Sequence, residues 1–400
     1  MFLKSPAFNT RVLRLRLKDK HASALRAMAA DVNFVWNYCN ELSFKVWTRE
    51  RRFMSGFDFN PYTRGASKEG LRIGSAVFQE VSEEFAKKRR AAKRAKLRWR
   101  VSNRRLANYS LGWIPFKARS LTYRGGQVAF QGLKLSLWDS YGLADHELGA
   151  GNIAEDARGR WYLNVTVKVQ KQAKSTVDET FGEALGIDLG LKSHMADSAG
   201  AAVEAQQFYR DLELAIATAQ RANKKDRVRA LHAKIAHRRK DFLHKLSTRQ
   251  VRDNAALFVG DVDASALAQT RMAKSVLDAG WSAYRTMLQY KSDDAGVWFK
   301  VVDEKFSTQD CSACGARTGP KGREGLSVLR WVCSCCGIEH DRDTNAARNI
   351  RDRGLKWLES EFAKAAEARA DDAALNESAG LVPSALAPGH GRPEVGISVL

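Results

Sequence analysis

The sequence lacks any long apolar run, and no stretch approaches the ~20 uninterrupted apolar residues that a membrane helix requires. Its first twenty residues, MFLKSPAFNTRVLRLRLKDK, contain neither the apolar segment nor the small-residue cleavage site of a secretory signal. We therefore expect a soluble, cytoplasmic protein without a membrane partner. A length of 400 residues predicts two to three domains.

Cysteine is scarce, and five of the six cysteines fall within residues 311–336. This clustering excludes a secreted disulfide framework, which would spread its cysteines along the chain. Two CxxC knuckles, separated by 18 residues, present four thiols: Cys311, Cys314, Cys333 and Cys336. They predict a closed, structural Zn²⁺ site, because each turn brings two thiolates onto one ion. Cys335 is left out, since Gly337 after Cys336 suits a knuckle turn, and a redox dithiol would need a βαβ setting that is absent.

Acidic residues are too few to balance the bases: 45 Asp and Glu face 66 Lys and Arg, a net charge of +21. Such an excess favours a polyanionic partner. Residues 87–105 contain 11 cations and no acid, so the usual i,i+4 pairing of a solvated helix face is missing. Trp99 within this run suits either a stacked base or the helix core. The predicted nucleic-acid contacts are Lys87, Lys88, Arg89, Arg90, Lys93, Arg94, Arg98, Arg100, Arg104 and Arg105 here, and Arg238, Arg239, Lys240 and Lys245 in RRKDFLHKLS.

The periodicity divides the chain into regions. Residues 8–18 alternate as a strand, residues 21–105 are helical in pattern, and residues 111–170 carry further strands, with a hairpin turn at Gly125-Gly126. After a polar linker, the order becomes β-β-β-α-β-α, which begins an RNase H-type fold. The segment beyond residue 358 holds three of the seven prolines and almost no aromatics, and composition predicts a disordered tail.

Two acids are candidate metal ligands. Asp188 lies in the short apolar strand LGIDLG, where a nuclease of this fold needs a carboxylate for Mg²⁺. Asp343 precedes the small run Asn345–Ala347 in HDRDTNAARNI, and small residues would let such a helix approach the sheet. Asp341 competes for the same assignment, and an N-cap is the simplest role for either aspartate.

LGIDLG, the double CxxC knuckle and DRDTNAARNI, in this order, resemble the TnpB family of transposon-encoded relatives of type V CRISPR effectors. NFVWNYCNE, GWIPFK, WDSYGL and RRKDFLHKLS extend the resemblance over roughly residues 1–355. It implies a multidomain α+β protein. Its expected parts are a wedge β-barrel (1–20 and 111–175), a helical recognition insertion (21–110), an RNase H-like RuvC domain (180–304), a zinc ribbon that binds target nucleic acid (305–340), a C-terminal RuvC helix (341–358) and a tail (359–400).

The family's middle RuvC carboxylate is a Glu that ends an apolar strand, but the matching strand ALFVGDV has Gly260 there. Asp261 follows, although strand alternation turns it to the opposite face unless the strand ends. Glu213 lies earlier in the chain, in the first turns of the helix after the third strand, where RNase H enzymes place a metal-binding Glu. We therefore expect Asp188, Glu213 and Asp343 as catalytic residues, with Asp261 as the alternative third carboxylate.

The resemblance implies an RNA-guided endonuclease that cuts double-stranded DNA beside a short adjacent motif with two Mg²⁺ ions, acting at the nucleoid of a prokaryote. The alternative is a nuclease-inactive, RNA-guided DNA-binding repressor or recruiter, because of Gly260. A strand-joining transposase is disfavoured, since nothing resembles a tyrosine or HUH recombination site and the eight histidines contain no HxH pair.

Overall fold

The computed structural model describes residues 8–66, 70–325 and 327–379. They form a mixed α+β architecture of two compact units. The first unit contains the described residues up to Lys174 together with Gln206–Arg252 and Ala264–Val297. The second contains Ser175–Ala205, Asp253–Asp263 and the described residues from Trp298 onwards.

Strands β1 to β14 are, in chain order, Phe8–Arg16, Trp113–Phe116, Thr122–Arg124, Gln127–Phe130, Leu133–Ser136, Leu148–Glu155, Trp161–Gln170, Ala184–Leu189, Ser193–Asp197, Ala202–Glu204, Ala256–Gly260, Trp298–Val302, Arg330–Val332 and Glu339–Asp341. Helices α1 to α11 are Ala22–Glu50, Asn60–Thr63, Ser75–Ala92, Val177–Gly182, Arg210–Arg221, Lys225–Asp253, Ala264–Leu267, Ala273–Ala279, Trp281–Ala295, Gly322–Gly325 and Arg342–Ala379. Short 3₁₀ turns cover Asp19–His21, Phe57–Phe59 and Leu143–Asp145.

Two antiparallel sheets of the first unit lie where the wedge barrel was predicted. One has the order β1-β7-β6-β2 and the other β3-β4-β5. The predicted hairpin turn is confirmed, since Gly125 and Gly126 have φ of 55° and 74° between β3 and β4. The inward residues of both sheets share one apolar core with α1 and α3.

The helical pattern predicted for residues 21–105 is found in α1 to α3 and is absent beyond them. The predicted apolar stripe of α1 is buried, at Leu25, Met28, Val32, Val35 and Trp36. Helix α3, however, ends at Ala92, and Lys93 adopts a left-handed φ of 49°. Residues 93–112 contain no helix, because side-chain amides of α1 take the hydrogen bonds of their backbone.

The predicted RuvC domain, residues 180–304, is divided between the two units. Helix α9 belongs to the first unit, where Asp294 at its end accepts hydrogen bonds from Asn9 and Arg11 of β1. The backbone N–H of Gln172, just after β7, donates to the carbonyl of Asp294. These contacts hold the helix to the strands of the first unit.

The second unit contains a five-stranded sheet of order β10-β9-β8-β11-β12, in which β8, β11 and β12 are parallel. The predicted element order β-β-β-α-β-α is confirmed, and β12 adds a strand that the periodicity did not assign. Helix α11 packs so closely on β8 that a Cβ at Gly186 would collide with the carbonyl oxygen of Ala347. Ala346 and Ala347 are buried there, as expected of small residues that let a helix approach the sheet.

Helix α11 continues to Ala379, so the prediction of a disordered tail is wrong for residues 359–379. Leu358 is buried and Phe362 packs on Trp298, which anchors the continuation. The alanines and glutamates that follow are strong helix formers. Residues 380–400 lie outside the described residues. No helix in the described ranges combines the length and apolar composition needed to cross a membrane.

Candidate functional site

Three acidic side chains meet at one edge of the second unit's sheet. Asp188 stands next to the end of β8, and Glu304 follows β12 by two residues. Because β8 and β12 both run parallel to β11, their carboxyl ends lie at the same edge. Asp343, in the first turn of α11, completes the group.

Glu304 and Asp343 both act on the charge of Asp188. Desolvation, followed by the negative charges of Glu304 and Asp343, raises the pKa of Asp188 to about 8, against a smaller opposing effect of Arg342. Arg342 also forms an ion pair of 3.0 Å with Asp343. A clustered, partly buried set of carboxylates needs a compensating cation, and hard oxygen ligands suit Mg²⁺.

Gly260 leaves the space that Glu304 fills. Gly260 is level with Val302 in β12, and its predecessor Val259 is level with Ile187, the neighbour of Asp188. A Cβ at Gly260 would collide with Oε2 of Glu304 and come within 3.2 Å of Ile350. The carboxylate of Glu304, which follows the adjacent strand β12, thus lies beside Gly260. Gly260 is the position at which the family's middle glutamate was expected.

Sequence reasoning missed Glu304. The available signal was WFKVV followed by Asp303-Glu304, an apolar strand with acids at its end, like the segment that carries Asp188. The patterns that indicated a third carboxylate lay in β11 and in the helix after the third strand. Neither pattern points to β12, the next parallel strand.

Glu213, expected as a catalytic residue, is not among the charged groups that act on Asp188. It lies in the first turn of α5, in the first unit, and its carboxylate pairs with Lys274 at 2.6 Å. The Lys274 hydrogen bond lowers the pKa of Glu213. The helix buries Ile216 and Ala219 instead, so its acidic face is the exposed one.

The other two candidate aspartates accept hydrogen bonds from backbone N–H groups. Asp341 is the N-cap of α11, where its Oδ1 accepts from the N–H of Thr344 at 3.0 Å. Asp261 accepts from the N–H of Glu304 at 3.1 Å and so fastens the Glu304 loop to the end of β11. Asp341 thus takes the capping role, while Asp343, two residues on, lies with Asp188.

An amide clamp, formed by Asn345 and Asn349, fastens the loop between Glu304 and the first zinc knuckle onto α11. Each Nδ2 donates to the carbonyl oxygens of both Ser307 and Asp310, at 2.7 to 3.1 Å. Oδ1 of Asn345 accepts from the N–H of Ser312, next to Cys311. The helix that carries Asp343 therefore holds the loop that carries Glu304.

The four predicted zinc ligands converge. The sulfurs of Cys311, Cys314, Cys333 and Cys336 all lie within 4.8 Å of one another. Two sulfur pairs are 3.7 Å apart, close to the ~3.8 Å edge of a tetrahedron with Zn–S bonds of about 2.3 Å. The group is compatible with a structural zinc.

The local backbone explains this convergence. In each knuckle the glycine N–H donates to the carbonyl of the first cysteine at 2.8 Å, and Gly315 and Gly337 have φ of 77° and 74°. This pairing confirms the turn predicted at Gly337, and Cys335 points out of the group as an exposed thiol. Nε2 of His340 lies 3.0 Å from the Cys311 sulfur and forms a hydrogen bond with it. The His340 ring packs on Trp331.

The predicted nucleic-acid contacts separate into structural and exposed cations. Arg89 is buried and bonds to Ser43, and Arg239 pairs with Asp278 at 2.6 Å, so both stabilise the first unit instead. Arg100 is engaged by Asn33 and Asn37. The side chains of Arg104, Lys88 and Lys245 approach Glu155, Glu84 and Asp241. Exposed cations are Lys87, Arg90, Lys93, Arg94, Arg98, Arg105, Arg238 and Lys240.

Comparisons with known proteins agree with these features. A family profile described as "Cas12f1-like, TNB domain" matches residues 281–350, and the OrfB_IS605 profile, "Probable transposase", matches residues 164–271. A relative from Streptomyces pristinaespiralis, named as a candidate RNA-guided DNA endonuclease, is 30% identical over 84% of this chain and 87% of its own. The CRISPR-associated endodeoxyribonuclease Cas12f1 of Sulfoacidibacillus thermotolerans is 26% identical over 56% of this chain and 57% of its own.

A solved complex of Cas12f1 with sgRNA and target DNA shares the fold. Its TM-score is 0.55 at 12% identity, and the match covers 86% of this chain and 99% of that one. The first relative's identity and coverage, together with the double knuckle and the strand-end aspartate, show that the chain belongs to the TnpB family.

Proposed function

We propose that the protein is an RNA-guided DNA endonuclease whose RuvC-type site uses Asp188, Glu304 and Asp343. The observation that carries the proposal is the convergence of these three carboxylates at one sheet edge. Two come from parallel strands and one from a helix, and the sheet order and the mixed strand directions suit an RNase H-type domain.

The donor set fits two Mg²⁺ ions. Asp188, Glu304 and Asp343 would hold them, and the bound ions would polarise the phosphate and activate a water nucleophile. The protein's own part is to keep three like charges together before metal arrives. Asp261 anchors the Glu304 loop at one end and the amide clamp holds it further along.

The missing glutamate at Gly260 does not favour the nuclease-inactive alternative. In this chain the carboxylate comes from β12 rather than β11, and Gly260 leaves room for it. Asp188, Glu304 and Asp343 therefore supply the carboxylates for two-metal chemistry.

Guide RNA and double-stranded target DNA with an adjacent motif are the proposed partners. Support comes from the net charge of +21, from the family, and from the relatives' names. The cysteine cluster is proposed to hold one structural Zn²⁺ in a target-binding ribbon, and the protein is proposed to act in the bacterial cytoplasm.

The test is cleavage of plasmid DNA by the full chain purified with its co-bound RNA, in Mg²⁺. Glu304→Gln is expected to abolish cutting while RNA and DNA binding persist, because the amide keeps the shape but loses the charge. Glu213→Gln is the matched control and should cut like the parent. Full cutting by Glu304→Gln would refute the assigned ligand, and binding without cutting by the parent chain would leave an RNA-guided repressor or recruiter.

A further inference from the structure

The basic strap, residues 93–112, is an extended segment fixed along α1 in the first unit. It begins where α3 ends and leads into β2. Within the described chain it has no helix and belongs to no sheet. Its backbone polar groups therefore need other partners.

Asparagine side chains of α1 supply those partners. Asn40 donates to the carbonyl oxygen of Leu97 at 2.8 Å and accepts from its N–H at 2.9 Å. Asn37 makes the same pair of bonds with Arg100, both at 2.9 Å. A carboxamide carries the donor and acceptor of a peptide group, so each asparagine acts as a neighbouring strand would.

A third asparagine extends this ladder. Asn33, one turn before Asn37, donates to the hydroxyl of Ser102 at 2.9 Å and accepts from Nε of Arg100. The three residues lie on one face of α1, at spacings of four and three. The strap is therefore held in a single register, and its outward side chains have defined positions.

Those outward side chains are cationic and aromatic. Arg94, Arg98 and Arg105 are exposed, and no carboxylate among the described residues lies within ion-pair distance of them. Trp99 is 47% exposed, next to Arg98. The Lys96 ammonium lies 5.3 Å from the centre of its ring. An exposed indole flanked by cations suits a nucleobase stacked on its face with the adjoining phosphates neutralised.

We propose that the basic strap is a stacking platform that binds an unpaired base of an RNA, with Trp99 as the platform and Arg98 and Arg94 as phosphate contacts. An unpaired base is required because a base inside a duplex has no free face. RNA is favoured because its loops and bulges present such bases without a partner strand being melted, whereas duplex DNA must be opened first.

The choice of RNA rests on the proposed function, while the stacking geometry does not. The two fail separately. A chain that cuts DNA under RNA guidance without any contribution of Trp99 would refute only the platform. A chain that binds RNA through Trp99 but never cuts would refute only the nuclease.

The test uses the full chain freed of RNA by high salt, with three probes of equal length. They are a single-stranded RNA carrying one 2-aminopurine, the same sequence as DNA, and the RNA as a perfect duplex. The parent chain is expected to bind the single-stranded RNA most tightly and to quench the 2-aminopurine by stacking. Trp99→Ala should weaken single-stranded RNA binding about tenfold and remove the quenching, while Trp99→Phe keeps most of both.

Trp138→Ala is the matched control. Trp138 is 49% exposed and faces a single arginine, Arg16 at 5.0 Å, on a different part of the same unit. It should bind and quench like the parent. Equal affinity of Trp99→Ala and the parent, or equal loss in the two alanine variants, would overturn the platform, and tighter binding of the DNA strand would overturn the choice of RNA.

Discussion

The two units use asparagine amides differently to fix an irregular segment on a helix. On α1, Asn37 and Asn40 each pair with one residue of the basic strap, so the register of a long segment is set step by step. On α11, Asn345 and Asn349 converge on the same two carbonyls, so a single point of a loop is held. The first arrangement presents an extended surface; the second positions one carboxylate beside two others.

This difference predicts different tolerances. A surface that makes many weak contacts loses affinity gradually when one anchor is removed. A cluster of three charges loses function when one of them moves by about an ångström. Changes at the carboxylate cluster should therefore cost more activity than changes at the basic strap.

Relocating the third carboxylate should have the largest effect. Gly260→Glu alone is expected to lower cleavage about a hundredfold or more, because its side chain would collide with Glu304. Combining Gly260→Glu with Glu304→Gly should return cleavage to within about tenfold of the parent, since one acid again occupies the space. Single-turnover DNA cleavage measures both, and a double variant as inactive as Gly260→Glu would contradict the exchange.

Loosening the amide clamp should come next. Asn349→Leu removes two of the four hydrogen bonds to Ser307 and Asp310, so Glu304 is held less firmly. Cleavage is expected to fall about tenfold to a hundredfold, and the Mg²⁺ concentration for half-maximal cutting should rise. Unchanged zinc content and RNA affinity would show that the ribbon and the first unit are intact; an unchanged Mg²⁺ requirement would argue against the clamp.

Loosening the strap should affect affinity alone. Asn37→Leu leaves the N–H and carbonyl of Arg100 without their partner, and we expect about tenfold weaker RNA binding with faster amide exchange at Arg100. Cleavage at saturating RNA should equal that of the parent, because the altered residue lies outside the carboxylate cluster. A lower cleavage rate at saturation would show that the strap does more than bind.

The smallest effect concerns pH. Since the pKa of Asp188 is raised from 3.8 to about 8, protonation stabilises the metal-free fold fully at pH values below about 4, and this contribution is lost as pH rises through about 8. Without added Mg²⁺, the melting temperature of the parent should fall over this window more than that of Asp188→Asn. Mg²⁺ should bind more tightly as pH rises, because it competes with the proton. Parallel melting curves for both proteins would contradict the raised pKa.

The zinc site and the carboxylate site differed in how far the sequence revealed them. All four cysteines were predicted, because two knuckles of four residues each encode their own turns, with Gly315 and Gly337 at the required φ. Asp188 and Asp343 were predicted as metal ligands from the strand LGIDLG and the helix start in HDRDTNAARNI. Glu304 was not, because which strand lies beside β11 is a property of the folded sheet.

The basic run shows the same limit. Its charge indicated a polyanionic partner, but composition did not distinguish Arg89, buried under Phe53 and bonded to Ser43, from Arg98 on the surface. Nor did it show that the run leaves the helix after Ala92. The path of the run after Ala92 is set by hydrogen bonds from asparagines that lie 57 to 69 residues earlier in the chain.

The sequence by itself determined most of the strand and helix order, the two cysteine knuckles, the excess of positive charge and the family. These properties depend on neighbouring residues or on sums over the chain. The tertiary structure alone decided which acid stands in for the one missing at Gly260, and which cations face solvent. Both depend on contacts between segments far apart in the chain. At Gly260, for example, the space without a Cβ is filled by Glu304, which follows the adjacent strand.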